Sequence, residues 1–176
     1  MSLAVKPIGY VESNGGQALI VVYDDYREAL DFIEYFTHLV VVYWLHKVPE
    51  RERSTVKVKP PFKDMPALGV FATRFPARPN PIGLTTVRLL GRKENVLVVE
   101  GLDAEPGSPI LDLKPYIPLY DRPRGRVELP GWVKKHLRHH HHHLHRHGIE
   151  ELLALVERIH GRRGAESVEG ASKALA

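Results

Sequence analysis

The sequence predicts a mainly β fold of antiparallel strands, interrupted by a short helix and followed by a helical C-terminal tail. Three observations predict it. Short runs of β-branched and aromatic residues alternate with turn signals through the first two thirds of the chain. One run, Thr37 to Val48, is long and rich in Val, Tyr and Trp. Beyond Pro130 the composition changes, and apolar residues recur at helical spacing. Residues 1–124 read as the β domain and 125–176 as a His-rich helical extension.

Val5 to Ser13 is the first expected strand, and Asn14-Gly15-Gly16 turns the chain into a second, Gln17 to Tyr23. Asp24 and Asp25 suit the start of a short helix through Tyr35, with Ala29, Leu30, Ile33 and Phe36 on one stripe. Thr37 to Val48 is apolar on both faces for part of its length, so it is either central to a barrel or laid across a subunit interface. His46 to Lys63 is basic, with Lys47, Arg51, Arg53, Lys57, Lys59 and Lys63 against Glu50, Glu52 and Asp64. This is either an edge strand guarded by lysines or a surface for phosphate. Leu84 to Arg92 and Val96 to Leu102 form a hairpin, Asp103 to Pro109 a loop, and Leu111 to Pro118 an irregular extended segment that closes the sheet. Asp121 to Gly131, rich in Pro, Gly and Arg, marks the boundary. A helical stretch from Trp132, a second from Ile149 to His160, and a small polar end from Gly161 to Ala176 follow.

The most constrained stretch runs from Gly69 to Thr85. Pro76, Pro79 and Pro81 each fix φ and push the preceding residue towards extended conformations, so the loop is stiff. Val70 to Thr73 reads as a strand entering it, and the alternation from Thr85 to Leu90 as the strand leaving. Arg74, Arg78 and Asn80 are thereby held ready for a polar partner at little entropic cost. A rigid turn with solvated arginines is the other reading.

This stretch, Gly-Val-Phe-Ala-Thr-Arg-Phe-Pro-Ala-Arg-Pro-Asn-Pro-Ile-Gly, resembles the signature of the TrmO/TsaA-like methyltransferases. Lys6-Pro7-Ile8-Gly9, Phe36-Thr37-His38-Leu39, Tyr43-Trp44-Leu45-His46 and the run from Gly107 to Tyr116 match as well. The resemblance implies a small antiparallel β-barrel that works as a homodimer. It also implies methyl transfer from S-adenosylmethionine (SAM) to N6 of a threonylcarbamoylated adenosine beside the tRNA anticodon. It carries cofactor binding onto His46, Lys47, Arg74, Leu84, Leu102, Asp103, Gly107, Ser108 and Pro109, in a pocket near the subunit interface. The chain departs from the pattern in its short first loop, in Phe75 where a small residue is common, and in its His-rich tail.

SAM has no phosphate, so such an enzyme needs no phosphate-cradling glycine loop. Gly15-Gly16 sits in a hairpin turn and is no dinucleotide fingerprint. Methyl transfer is an in-line displacement that depends on alignment. The adenine amine must lose a proton, for which Asp103 and Asp112 are the candidate acceptors, each also suited to a turn or cap. A cation beside the sulfonium is unfavourable, which sends Arg74 to the cofactor's carboxylate end or to RNA phosphate. Arg78 and Asn80 are assigned to pocket structure or RNA contact, and Arg51, Arg53, Lys57, Lys59 and Lys114 to RNA. His46 is alternatively a strand-end histidine, and Tyr43 and Trp44 read as core.

With 176 residues and a net charge of +4, the chain suits one domain, a small appendage and a polyanionic partner. The absence of cysteine removes disulfides, thiolate nucleophiles and cysteine metal sites. With no signal-peptide pattern and no apolar run near the roughly 20 residues of a membrane span, a cytoplasmic, non-membrane protein is expected. The His139 to His143 run places His139 and His143 one helical turn apart, where adventitious metal binding is expected rather than a closed functional site. Besides the methyltransferase, a non-catalytic RNA-binding or SAM-sensing module and a His-rich metal-handling protein remain open.

Overall fold

The computed structural model describes residues 4–60, 66–131 and 133. Eight strands are present in this part: β1 (Gly9–Asn14), β2 (Gln17–Val22), β3 (His38–Trp44), β4 (Lys57–Val58), β5 (Leu68–Gly69), β6 (Ile82–Lys93), β7 (Val96–Glu100) and β8 (Pro109–Pro115). Six of them close an antiparallel barrel in the order β1-β2-β7-β6-β3-β8, and β4 and β5 form a separate ribbon.

The two hairpins fall where the turn residues put them. Asn14 pairs with Ala18 across a turn in which Gly16 takes φ 99°, and β6 passes to β7 through Glu94, itself at φ 54°. The first strand starts at Gly9 rather than Val5, because Pro7 has no amide to offer a ladder. A Cβ on Gly9 would lie 2.2 Å from the Val21 carbonyl oxygen, so this close approach to β2 requires glycine.

β3 alternates strictly. Leu39, Val41 and Tyr43 are buried, whereas Val40, Val42 and Trp44 are half-buried on the outer face. It pairs with β6 on one side and β8 on the other, so the two-sided apolar run is a barrel strand. The segment expected to close the sheet is β8, a strand bounded by prolines that joins β3 to β1 and shifts register opposite Val42 and Tyr43.

The barrel interior is filled by Val11, Ile20, Val22, Leu39, Val41, Val87, Leu97, Val99 and Ile110, among others. Burying each such side chain contributes roughly 1.5–3 kcal/mol. Leu19, Val21, Val96 and Val98 are buried on the opposite face of β2 and β7, with Tyr10 and Leu90 packed against them.

Two further expectations are corrected. The helix expected over 24–35 is a pair of 3-10 segments, Asp24–Leu30 and Ile33–Tyr35, separated by Phe32 at φ 67°. Arg92 explains the break: its Nη1 donates to the Leu30 carbonyl at 2.7 Å, taking an acceptor that a continuing helix would need. The strand expected over Val70 to Thr73 is a 3-10 turn, Val70–Ala72. The Val70 carbonyl is consumed locally by the Thr73 amide (3.1 Å), Thr73 Oγ1 (2.8 Å) and Arg78 Nη2 (3.0 Å) and is lost to any ladder.

After β8 comes a short helix, α1 (Pro118–Asp121), and the described residues 122–130 are exposed and carry no regular structure. Among the described residues, no helix is long and apolar enough to cross a membrane. The His139 to His143 run, His145, His147 and the helix expected over Ile149 to His160 lie outside the described residues, as does Lys63.

Candidate functional site

Three segments converge at one end of the barrel around a cavity of about 830 Å³: the end of β3 with the turn after it, the proline-rich loop with the start of β6, and the loop between β7 and β8. Asn14, from the first hairpin turn, completes the lining.

The proline loop is held from inside. Arg78 Nη2 donates to the Val70 carbonyl at 3.0 Å and to the Thr73 carbonyl at 2.7 Å, which ties the loop's entry to its middle. Arg78 thus braces the loop that forms this side of the cavity. Arg74 and Phe75 emerge from the clamped segment into the cavity wall, and both are exposed. Arg74 makes no ion pair with any described residue, so its charge is available to a ligand. Asn80 is exposed, and its carbonyl accepts the Ile82 amide at 2.7 Å.

Tyr43 is the floor of the cavity. Its residue is only 3% exposed, yet its hydroxyl donates to the Asp103 carbonyl and lies 3.3 Å from Thr85 Oγ1. Its ring lies directly under Gly83, where a Cβ would come within 2.3 Å of Cε2 and Cζ. Burial pushes the Tyr43 phenol above its ordinary pKa and the Asp103 charge adds to this, while the Thr85 hydrogen bond and Arg74 oppose it. The phenol thus stays protonated and acts as a donor.

The loop between β7 and β8 is held from two sides. Asn14 Nδ2 donates to the carbonyls of Leu102 (2.9 Å) and Ala104 (2.8 Å). Ser108, 1% exposed, places its Oγ 3.1 Å from His46 Nδ1. Lys47 Nζ meets Glu105 Oε2 at 2.9 Å across the cavity rim. The Lys47 hydrogen bond and charge hold the Glu105 carboxyl below the usual glutamate range.

Of the residues expected at the site, His46, Lys47, Arg74, Arg78, Leu84, Asp103 and Ser108 line one cavity. Gly107, at φ 84°, sits beside it, with His46 Nε2 3.7 Å from the position of a Cβ. Leu102 is buried in the barrel core, and Pro109 is paired with Tyr10 at the start of β8. Asp112 lies outside the lining. It accepts the Leu113 amide at 2.9 Å and pairs with Lys114 at 2.6 Å, which raises the Lys114 pKa. Arg53 is engaged by Glu50 and stacks 5.3 Å over the Trp44 ring. Arg51, Lys57 and Lys59 are exposed and outside the lining.

Lining residues not assigned to the site from sequence include Asn14, Tyr43, Leu45, Glu52, Ile82, Thr85 and Glu105. Asn14 is also what a tight turn requires, and Glu105 meets Lys47 across 58 residues of chain, so neither carried a local signal.

The cavity combines an apolar wall of Leu45, Phe75, Ile82 and Leu84 with a free guanidinium and the Asp103 carboxylate. Its size is within the roughly 300–1,000 Å³ of small-molecule sites. It suits a ligand with a flat apolar part and an anionic end. Among the described residues, no group of three or more His, Cys, Asp or Glu is placed to hold a metal.

Residues 6–122 match the family described as the tRNA-methyltransferase O N-terminal domain. A probable S-adenosyl-L-methionine-binding protein of Pyrococcus abyssi is 39% identical over 121 residues, covering 69% of this chain and 62% of that protein. The human protein named tRNA (adenine(37)-N6)-methyltransferase is 32% identical over 72% of this chain, but only 33% of its own length is matched. A crystal structure of TrmO superposes with a TM-score of 0.59 at 30% identity, covering 73% of this chain and 64% of that one. This chain thus spans under two thirds of the Pyrococcus relative and of that solved structure. Matched over its whole barrel, the chain belongs to the tRNA-methyltransferase O N-terminal domain family.

Proposed function

We propose that the protein is a SAM-dependent tRNA methyltransferase acting on N6 of threonylcarbamoyladenosine at position 37, beside the anticodon. The observation that carries this reading is the meeting of the signature loop with the loop between β7 and β8 around one cavity, which brings Arg74, Asp103, His46 and Ser108 together. The activity in the name of the human relative supports the same reading.

SAM supplies an electrophilic methyl group on a positively charged sulfur. Arg74 is the residue suited to its carboxylate, and Leu45, Ile82 and Leu84 form an apolar wall for its adenine. Lys47, neutralised by Glu105, adds no free positive charge to the rim. Bound SAM would give its methyl group to the target N6 as the carbon–sulfur bond broke, and would leave as a neutral thioether. The N6 proton must then go to a base, a role assigned to the Asp103 carboxylate. Tyr43 positions that residue by donating to its backbone carbonyl. Asp112, paired with Lys114 outside the cavity, falls to second place for the role.

The protein is further proposed to act as a homodimer, with the half-buried outer residues Val40, Val42 and Trp44 of β3 as support. Sedimentation equilibrium showing a stable monomer would end that part of the reading. A SAM-binding module without turnover is favoured by one observation, the naming of archaeal relatives as SAM-binding proteins. One experiment separates the two readings. The protein is incubated with methyl-labelled SAM and with tRNA carrying or lacking the threonylcarbamoyl group, and labelled nucleosides are identified by mass. Label in N6-methyl-threonylcarbamoyladenosine, from modified tRNA only, is the expected result. Binding of SAM with no labelled nucleoside would favour the module.

A further inference from the structure

Two exposed phenylalanines stand on the segment that enters the proline-rich loop: Phe75 lines the cavity, and Phe71 lies outside its lining. Phe71 is 83% exposed and Phe75 44% exposed. Neither sits on a loose loop: Phe71 lies within the turn Val70–Ala72, and Arg78 and Thr73 fasten that turn through the Val70 carbonyl. An exposed aromatic ring on a braced turn loses little entropy when another ring stacks on it.

The ribbon beside the turn adds charge. Lys57 pairs with Gly69 in the β4–β5 ladder, and the Val56 carbonyl accepts the Val70 amide at 3.0 Å, which brings the basic stretch against the aromatic turn. Lys57, Lys59 and Arg74 are exposed and form no ion pair with a described residue. Lysine is depleted from protein interfaces, whereas aromatic rings interleaved with unpaired cations are the composition that holds single-stranded nucleic acid.

We propose that Phe71, with Lys57 and Lys59, forms a stacking platform for an unpaired nucleotide flanking the target base. The inference rests on the RNA substrate reading above and assigns that substrate a binding surface outside the cavity. The Phe71 ring stacks on the neighbouring base, and the two lysines meet the backbone beside it.

The test uses an RNA stem–loop with 2-aminopurine at the nucleotide 3′ of the target adenine, titrated with the full chain and with Phe71→Ala. Wild-type protein should quench the probe. Phe71→Ala should lose the quench and bind the RNA roughly tenfold more weakly, as expected for one stacked base. Its SAM affinity should be unchanged, which also shows that the variant is folded. Lys57→Ala should reduce the slope of log affinity against log salt by about 0.7, one single-strand phosphate contact. An RNA affinity within about twofold of wild type, with the quench intact, would overturn the platform. So would a Phe71→Ala variant whose only defect is weaker self-association, since the surface would then belong to a second copy of the chain. RNA binding that depends on Phe71 without methyl transfer would leave the platform standing and overturn the enzyme reading alone.

Discussion

Replacing Gly83 by alanine tests whether the Tyr43 ring is the fixed floor on which the cavity is built. The added Cβ would lie 2.3 Å from Cε2 and Cζ of the ring and 2.8 Å from Cε1. An ordinary carbon contact needs roughly 3.5 Å or more, so the ring must retreat by about 1 Å. Retreat is resisted, because Tyr43 is buried among core side chains and its hydroxyl is bound to the Asp103 carbonyl. Overpacking of this kind costs roughly 1–3 kcal/mol, and losing the hydroxyl's bond adds about 0.5–1.5 kcal/mol. A total of about 2–4 kcal/mol would lower Tm by roughly 5–15 °C in a chain of this size. Urea unfolding at constant m value measures the change, and calorimetric SAM titration should show weaker binding as the Asp103 loop loses its anchor. In a Tyr43→Leu background the alanine should cost less than about 0.5 kcal/mol, because its clash partner is gone. An equal penalty in both backgrounds, or no penalty in the first, would refute the argument.

Arg74→Ala should leave stability unchanged while weakening SAM binding by roughly 10–100-fold, the loss of one charge-assisted contact, as read by calorimetry. Unchanged affinity would remove Arg74 from the ligand site. Arg78→Lys should cost about 1–2 kcal/mol, because a lysine lacks the planar fork that serves both carbonyls, and amide exchange from Val70 to Phe75 should accelerate. Exchange rates equal to wild type would show that the prolines alone hold the loop. The Glu105 carboxyl is held low by Lys47, so its contribution is present above the ordinary glutamate range and is lost as pH falls through the lowered folded value. A carboxyl-carbon NMR titration should place Glu105 below that range, and Lys47→Ala should move it back up; no movement would mean the pair does not persist in solution.

Much of the barrel was legible in local sequence. Asn14-Gly15-Gly16 and the residues around Glu94 mark tight turns whatever surrounds them, and strand alternation then assigns inward and outward faces. The stiffness of the 69–85 loop was equally legible, since each proline acts on its own backbone. Hydrogen-bond acceptors were not. Whether Leu30 continues a helix depends on Arg92, and whether Val70 joins a ladder depends on Arg78 and Thr73. Both local assignments failed because side chains took carbonyls that backbone amides would otherwise have used. The candidate site divides in the same way. Arg74 and Asp103 could be nominated by chemical type, and Asp112 equally so, but only the fold separates them, by pairing Asp112 with Lys114 beyond the cavity lining.

The sequence by itself determined most of the barrel strands, the hairpin turns, the rigid loop and the residue types able to bind an anion or accept a proton, because these depend on neighbours within a few residues. Only the tertiary structure decided that the closing segment, Pro109 to Pro115, pairs with β3 on one side and β1 on the other, and that Tyr43 carries the cavity from below. It alone added Asn14, Thr85 and Glu105 to the cavity where His46, Arg74 and Ser108 meet. Those contacts join residues tens of positions apart, and their geometry follows from barrel closure and register, which local pattern does not encode.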